Sequence, residues 1–167
     1  MIEGRMKESI HTSKDQIVVF TLDEQLFALP LIVVLKVIHA LEIRHLPEAP
    51  EIISGIINVR GKIIPVVDIR KRLGILTREI DLNDRLIIAD TGKREVAILV
   101  DSVTGVIDLE PFQGDTSKNS APFSEHISGV AKTEDGMILI NDLDGFLNLD
   151  EEKDLVLAAS RFGHKNI

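Results

Sequence analysis

The chain has 167 residues, a length that predicts about one domain, and 44% of its residues are apolar. A domain of this size folds without disulfides or a metal, and the absence of cysteine excludes thiol catalysis and thiolate metal sites and fits a reducing cytoplasm. The formal net charge of −8 makes nucleic acid and anionic membranes poor candidates as partners, because phosphate binding relies on clustered Lys and Arg.

The first residues carry a cleavage motif rather than a structural element. Residues 2–5 read Ile-Glu-Gly-Arg, the recognition sequence of a protease used to remove tags, and a second methionine follows at Met6. We therefore interpret residues 1–5 as the remnant of an expression tag and residues 6–15 as an N-terminal arm.

Short apolar runs rich in Ile and Val follow along the chain, and most are bounded by Gly, Pro, Asp or Asn. This pattern predicts many short β-strands, which at this spacing are typical of barrels or a sandwich. The predicted strands are 17–22, 26–29, 52–57, 63–69, 86–89, 96–100, 103–109, 127–131 and 137–140.

Two helices are predicted. A short one lies between Asp68, its N-cap, and Gly74, its C-terminal stop. Its Arg70-Lys71-Arg72 cluster is interpreted as a solvated face, with a phosphate site as the alternative. A longer helix is predicted from Asn148 to Phe162, ended by Gly163. Its apolar stripe is expected to dock on a barrel and consists of Leu155, Ala158, Ala159 and Phe162.

The order of motifs repeats in the two halves of the chain. Residues 28–38 and 97–107 share an Ala-apolar pair followed by Val and then Val-Ile at the same spacing, 69 positions apart. Residues 49–68 and 121–142 share Ala-Pro, Ser-Gly, two apolar residues, a turn that ends in Gly and an apolar strand that leads to Asp.

The repeat predicts an all-β fold of two similar small barrels that share an apolar seam. We expect a module over residues 16–149, with one subdomain at about 16–83 and the other at about 84–149, followed by a C-terminal helix and tail at 150–167. Two copies are too few for a solenoid, which needs about three.

The motifs of common enzyme classes are missing from the sequence. It contains no glycine-rich phosphate loop and no Gly-x-Ser-x-Gly. His39 and His45 flank one segment without a third ligand nearby, so neither a metal site nor a cofactor is predicted. Asp68, Asp101 and Asp142 each end an apolar run, where capping of the next turn is favoured over acid–base chemistry. The chain is therefore predicted not to be an enzyme.

Aliphatic side chains exceed the number that one face of each small barrel needs. Either some of them line a groove between the halves that receives an amphipathic helix or a strand edge, or the two barrels bury all of them against each other. These residues are Val33, Val34, Val37, Ile52, Ile53, Ile56, Ile57, Val103 and Val106.

A tight turn, Asn58-Val59-Arg60-Gly61, links two Ile-rich strands. Asn58 and Gly61 are residues that tolerate the positive φ of a hairpin. Arg60 has no such backbone role, so its guanidinium is either a buried fork that satisfies loop carbonyls or an exposed contact.

Leu46-Pro47-x-Ala49-Pro50 and the unbroken string from Ser54 to Arg70, with its Asn-x-Arg-Gly hairpin, closely resemble the CheW family of bacterial chemotaxis coupling proteins. The resemblance continues through residues 27–38, 99–106 and 127–131 and covers the chain from Gln16 to about Leu149. It implies two five-stranded SH3-like β-barrels.

The resemblance also implies a non-enzymatic adaptor. One surface is expected to bind the cytoplasmic hairpin tip of methyl-accepting chemoreceptors, and another the regulatory domain of the histidine kinase CheA. The expected location is the cytoplasm, with recruitment to membrane-associated receptor arrays, and the isolated protein is expected to be monomeric. A coupling protein of a related array that does not control motility is the alternative.

Matching to the family assigns candidate binding residues in this chain. Lys36 departs from the family, which usually has an acid there, so a partner with a compensating acid is expected. The receptor-binding groove is assigned to Val33, Val34, Lys36, Val37, Gly55, Ile56, Asn58, Arg60, Val103 and Val106. Kinase contacts are assigned to Leu99, Val100 and Ser102.

Overall fold

The computed structural model describes residues 16–109, 127–134, 136–145 and 149–165, and in these ranges the chain is mainly β-structure. The helices are α1 (Ile69–Leu73) and α2 (Leu149–Lys165), with 3-10 turns at Leu31–Val33 and Leu143–Gly145. The strands are β1 (Gln16–Leu22), β2 (Gln25–Pro30), β3 (Val34–His39), β4 (Ile53–Val59), β5 (Lys62–Val67), β6 (Arg85–Asp90), β7 (Glu95–Val100), β8 (Ser102–Asp108), β9 (Ile127–Thr133) and β10 (Gly136–Asn141).

The strands form two five-stranded sheets with the predicted SH3-like form. The first sheet has the order β8-β1-β2-β10-β9 and the second the order β3-β6-β7-β5-β4. The two orders correspond strand for strand, because β1–β5 and β6–β10 are the two repeat units of the sequence. Each sheet combines two strands of one unit with three of the other.

Because each sheet contains strands of both repeat units, the predicted subdomain boundary between residues 83 and 84 is corrected. The second sheet is built from residues 34–100, and the first from residues 16–30 together with strands after residue 101. The physical reason lies in the links. Asp101 alone separates β7 from β8, whereas a hairpin needs at least two loop residues, so β8 crosses to the other sheet and pairs with β1.

Apolar side chains form a central seam and one smaller cluster in each sheet. Successive residues of β1, β2, β6 and β7 point to opposite faces, and both faces are buried. Phe20 and Phe27, for example, stack in the seam with ring centroids 6.1 Å apart, while the neighbouring Ala28 packs inside the first sheet. The predicted apolar seam is therefore confirmed.

Both predicted helices are present. Asp68 caps α1 by accepting a hydrogen bond from the Arg70 amide at 3.1 Å, and Gly74 ends it with φ 72°. In α2, Leu155 and Ala158 are buried in the seam as predicted, whereas Ala159 is exposed. The predicted end at Gly163 is wrong, because α2 continues to Lys165. The predicted cap Asn148 and the side chain of Phe162 lie outside the described residues.

Ion pairs attach α2 to the second sheet. Glu151 in its first turn pairs with Arg72 of α1. Glu152 accepts a hydrogen bond from Arg94 Nε, in the β6–β7 turn, at 2.6 Å. The acids at the start of the helix also complement its dipole. The docking therefore combines apolar burial with charged contacts at one end.

A buried arginine links the two sheets. Arg70 is only 4% exposed, and its Nη1 donates to Asp23 Oδ1 at 2.8 Å and to the Leu76 carbonyl at 3.1 Å. Its Nη2 donates to Asp101, which also accepts the Asp23 amide at 2.8 Å. The interpretation of residues 70–72 as a solvated face is therefore wrong for Arg70, whereas Lys71 is exposed. Lys71 is also engaged, with the Glu51 carbonyl at 2.6 Å.

We predict that acid weakens this link. Burial raises the pKa of Asp101, but hydrogen bonds from Arg70 and from the Asp23 amide outweigh it and lower the pKa overall. A carboxyl whose pKa is lower in the folded state stabilises the fold at every pH above its unfolded-state pKa of about 4. This stability is lost as the pH falls through the pKa of the folded state. Urea unfolding between pH 7 and about pH 3 should therefore show a smaller acid-induced loss in Asp101→Asn than in the parent. Equal losses would contradict the prediction.

Candidate functional site

The β4–β5 hairpin has a two-residue loop, Arg60-Gly61, in which φ is 52° and then 87°. Positive φ at both positions defines a type I′ turn, which favours Asn or Gly at the first of them. Asn58 was expected to carry a positive φ but lies in β4, where its Oδ1 accepts the Gly61 amide at 2.8 Å. The strained position is therefore Arg60.

Arg60 is exposed, which rules out the first of the two alternatives, a buried fork that satisfies loop carbonyls. Within the ranges that the structure describes, no hydrogen bond or ion pair holds its guanidinium. The neighbouring Lys62 differs, because it pairs with Glu95. A long cation held in a costly backbone conformation without an internal partner is a feature typical of a binding position.

A short bridge closes the second sheet beside this hairpin. Arg44 and Ile56 exchange two backbone hydrogen bonds of 2.8 Å, so the segment after β3 lies against the open edge of β4. Gly55 permits this approach, because a Cβ there would lie 2.4 Å from the Arg44 carbonyl oxygen. The role of Gly55 is thus to bring two backbones together, and it offers a partner no side chain.

The bridge forms a shallow cavity of about 220 Å³ at the base of the hairpin. Ile63 is exposed beside it, and Glu42 and Arg44 lie on its rim with exposed side chains. Asn58 also lines it, so the cavity is continuous with the turn. Sequence reasoning missed Glu42, Arg44 and Ile63, since only the long-range bridge to β4 brings the first two to the hairpin.

Most of the predicted groove residues lie on three strands, and they differ in burial. β3 and β4 lie at opposite edges of the second sheet, and β8 lies at an edge of the first. Val37 on β3 and Val106 on β8 are 39% and 50% exposed. Lys36 is exposed as well, whereas Val33, Val34 and Val103 are half-buried against the seam.

The other aliphatic residues that the sequence offered for a groove belong to the apolar core. Ile52, Ile53 and Ile57 are buried, so the two sheets cover most of the surplus aliphatic surface and leave a strip at the sheet edges. Ile56, assigned to the groove, is buried too. It cannot contact a partner through its side chain in this conformation.

The predicted kinase stretch is mainly interior. Leu99 and Val100 belong to β7, the central strand of the second sheet. Val100 is buried in the seam, so its side chain cannot contact a partner in this conformation, and its assignment is corrected. Leu99 is half-buried, and its assignment stays a prediction. Ser102 is exposed, and its Oγ lies 2.7 Å from Thr21 Oγ1.

The strand-ending acids have structural roles. Asp68 caps α1, and Asp142 Oδ1 accepts the Asp144 amide at 3.0 Å in the following turn. Asp101 instead joins Arg70 and Arg78. The capping prediction is confirmed for the first two residues, and the third is part of a link between the sheets.

The chain forms two five-stranded SH3-like sheets around one seam. At one hairpin it exposes a strained arginine that has no partner in the described part of the chain. These features define a β-sheet protein whose candidate site is an exposed surface. A family model described as "CheW-like domain" matches residues 16–151. The chain belongs to this family.

The chain is 35% identical over 129 residues to the chemotaxis protein CheW of Thermotoga maritima, covering 77% of this chain and 85% of that protein. It is 30% identical over 115 residues to protein FrzA of Myxococcus xanthus, covering 65% and 68%. The crystal structure of the scaffolding protein TtCheW from Thermoanaerobacter tengcongensis matches with a TM-score of 0.73 and 35% identity, covering 83% of this chain and 95% of that one.

Among the helices that the structure describes, none combines the length and apolar character that crossing a bilayer requires.

Proposed function

We propose that the chain is a non-enzymatic adaptor that couples chemoreceptors to the histidine kinase CheA. The receptor end is the cytoplasmic hairpin tip of a methyl-accepting receptor, and the kinase end is its regulatory domain. The protein acts in the cytoplasm and joins receptor arrays at the membrane through these contacts. In isolation it is a monomer.

The observation that carries the proposal is Arg60. Membership of the CheW-like family and names of relatives such as "chemotaxis protein" and "scaffolding protein" support the general role. The exposed guanidinium supplies a specific contact, because it has no partner among the described residues. An arginine fork suits paired recognition of a carboxylate on the receptor.

Apolar contacts complete the receptor surface. Val37, Val106 and Ile63 offer exposed aliphatic area of the kind that receives one face of an amphipathic helix. Lys36 and Arg44 add positive charge, so an acidic receptor segment is the fitting partner. This agrees with the compensating acid that Lys36 requires.

The test is a titration of the full chain with a receptor-tip fragment and with a CheA regulatory domain, first separately and then together. A coupler must bind each fragment and must hold both in one ternary complex. Mutually exclusive binding, or no binding to either fragment, would contradict the proposal.

The similarity to protein FrzA, which is not named a chemotaxis protein, supports a related array as the second candidate. In this second candidate function, the chain couples receptors to the kinase of a related array that does not control motility. Pull-downs against every receptor and CheA-type kinase of the host would separate the two, since binding restricted to a non-chemotaxis kinase supports the alternative.

A further inference from the structure

The loop between α1 and β6 displays large apolar side chains to solvent. We name residues 75–84 the leucine loop, because Leu76 and Leu82 are 85% and 93% exposed. Ile80 between them is also exposed. Isolated exposed leucines are ordinary, but three large aliphatic side chains within seven residues of one loop mark a candidate interaction surface.

Polar contacts hold this loop in place. Arg78 donates to the two carboxylate oxygens of Asp84 at 2.9 and 2.6 Å. The Asp81 amide donates to the same carboxylate at 2.7 Å, and the buried Arg70 binds the Leu76 carbonyl. These contacts hold the loop backbone at Leu76 and Asp81, so little backbone freedom is lost when a partner binds.

The charges around the loop indicate what kind of partner it fits. Arg78 is neutralised by Asp84 and Asp101, whereas Glu79 and Asp81 are exposed acids. An acidic rim disfavours an anionic membrane. It suits a protein with an apolar pocket rimmed by Lys or Arg, because opposite charges across an interface assist association.

The position of the loop leaves Arg60 free to bind a second partner. β5 runs from the hairpin to α1, so Arg60 and the leucine loop lie at opposite ends of a six-residue strand. At about 3.4 Å per residue the two ends are roughly 20 Å apart. The loop also contacts Asp101 through Arg78, which places it beside Ser102, the exposed member of the predicted kinase stretch.

We propose that the leucine loop is the docking site for the CheA regulatory domain, with Leu76 and Leu82 inserted into an apolar pocket that has a basic rim. This inference rests on the proposed function. It moves the main kinase contact from Leu99 and Val100, which are half-buried and buried, to side chains that are fully open to a partner.

The test compares the full chain with the double variant Leu76→Ser/Leu82→Ser, and titrates each with a CheA regulatory domain and with a receptor-tip fragment. Because both leucines are exposed, the variant is expected to keep its urea midpoint. Its affinity for the kinase domain should fall roughly tenfold or more, with receptor binding unchanged. The matched control Leu157→Ser alters an exposed leucine on α2 and should bind both fragments normally.

A second variant tests the charge of the rim. Glu79→Gln removes one exposed acid, so kinase association should slow several-fold at low salt and the difference should shrink at high salt. If the parent binds the kinase domain and the double variant binds it equally, the docking site is wrong and the proposed function stands. If the double variant loses receptor binding instead, the loop belongs to the receptor surface. If the parent itself does not bind the kinase domain, both proposals fail.

Discussion

Arg60→Asn is expected to abolish receptor coupling while making the protein slightly more stable. Asn accepts the positive φ at the first loop position better than Arg, so the free energy of unfolding should rise by about 0.5–1 kcal/mol. The guanidinium is lost in the same step, and the affinity for a receptor-tip fragment should fall at least about tenfold. Urea unfolding and a binding titration measure the two effects.

A gain in stability together with a loss of receptor affinity distinguishes a binding role from a structural one. Substitution of a residue needed for folding would lower both stability and affinity. Lys62→Gln is the matched control, since it removes a neighbouring cation that is already paired with Glu95. It should retain receptor binding. Arg60→Lys keeps the charge without the planar fork and should bind with intermediate affinity. Normal receptor-dependent kinase activation by a folded Arg60→Asn protein would remove Arg60 from the site.

Arg70→Ala should cause the largest loss of stability of any substitution considered. It removes a buried side chain that binds Asp23, Asp101 and the Leu76 carbonyl. Asp101 keeps Arg78 as a counter-ion, whereas Asp23 loses the arginine with which it pairs. Truncation of one member of a buried ion pair costs about 3–5 kcal/mol. Since Asp23 is partly exposed, the lower end, about 3 kcal/mol, is expected.

The control is Arg161→Ala, in an exposed pair with Glu48. Its cost should stay below about 1 kcal/mol, because solvent screens such pairs. Urea midpoints of the two variants and the parent provide the comparison. A loss for Arg70→Ala as small as that for Arg161→Ala would show that the link between the sheets is energetically minor.

The secondary structure was largely predictable. Nine of the ten strands in the described ranges were predicted, with ends no more than two residues off. β3 was missed because it is an edge strand in which Leu35, Lys36 and Val37 are all exposed. A strand is predicted from alternating apolar and polar residues or from a continuous apolar run, and Val-Leu-Lys-Val-Ile-His in β3 has neither pattern.

The pairing of strands that are distant in the sequence could not be predicted from local patterns. The repeat correctly indicated two similar sheets, but the sequence contains no local sign of which unit a strand pairs with. The same limit explains the misinterpretation of Arg70, whose partners Asp23 and Asp101 lie 47 and 31 positions away. Arg60 could be singled out because a tight turn has local rules, and an arginine there departs from them.

The exchange of strands between the repeat units makes the two halves of the chain inseparable. β3, β4 and β5 pair with or adjoin β6 and β7, and β1 and β2 complete the sheet that holds β8, β9 and β10. A fragment that contains one repeat would therefore carry half of each sheet and no complete core. Unfolding should thus be a single cooperative transition, and complementary fragments should regain structure only when mixed.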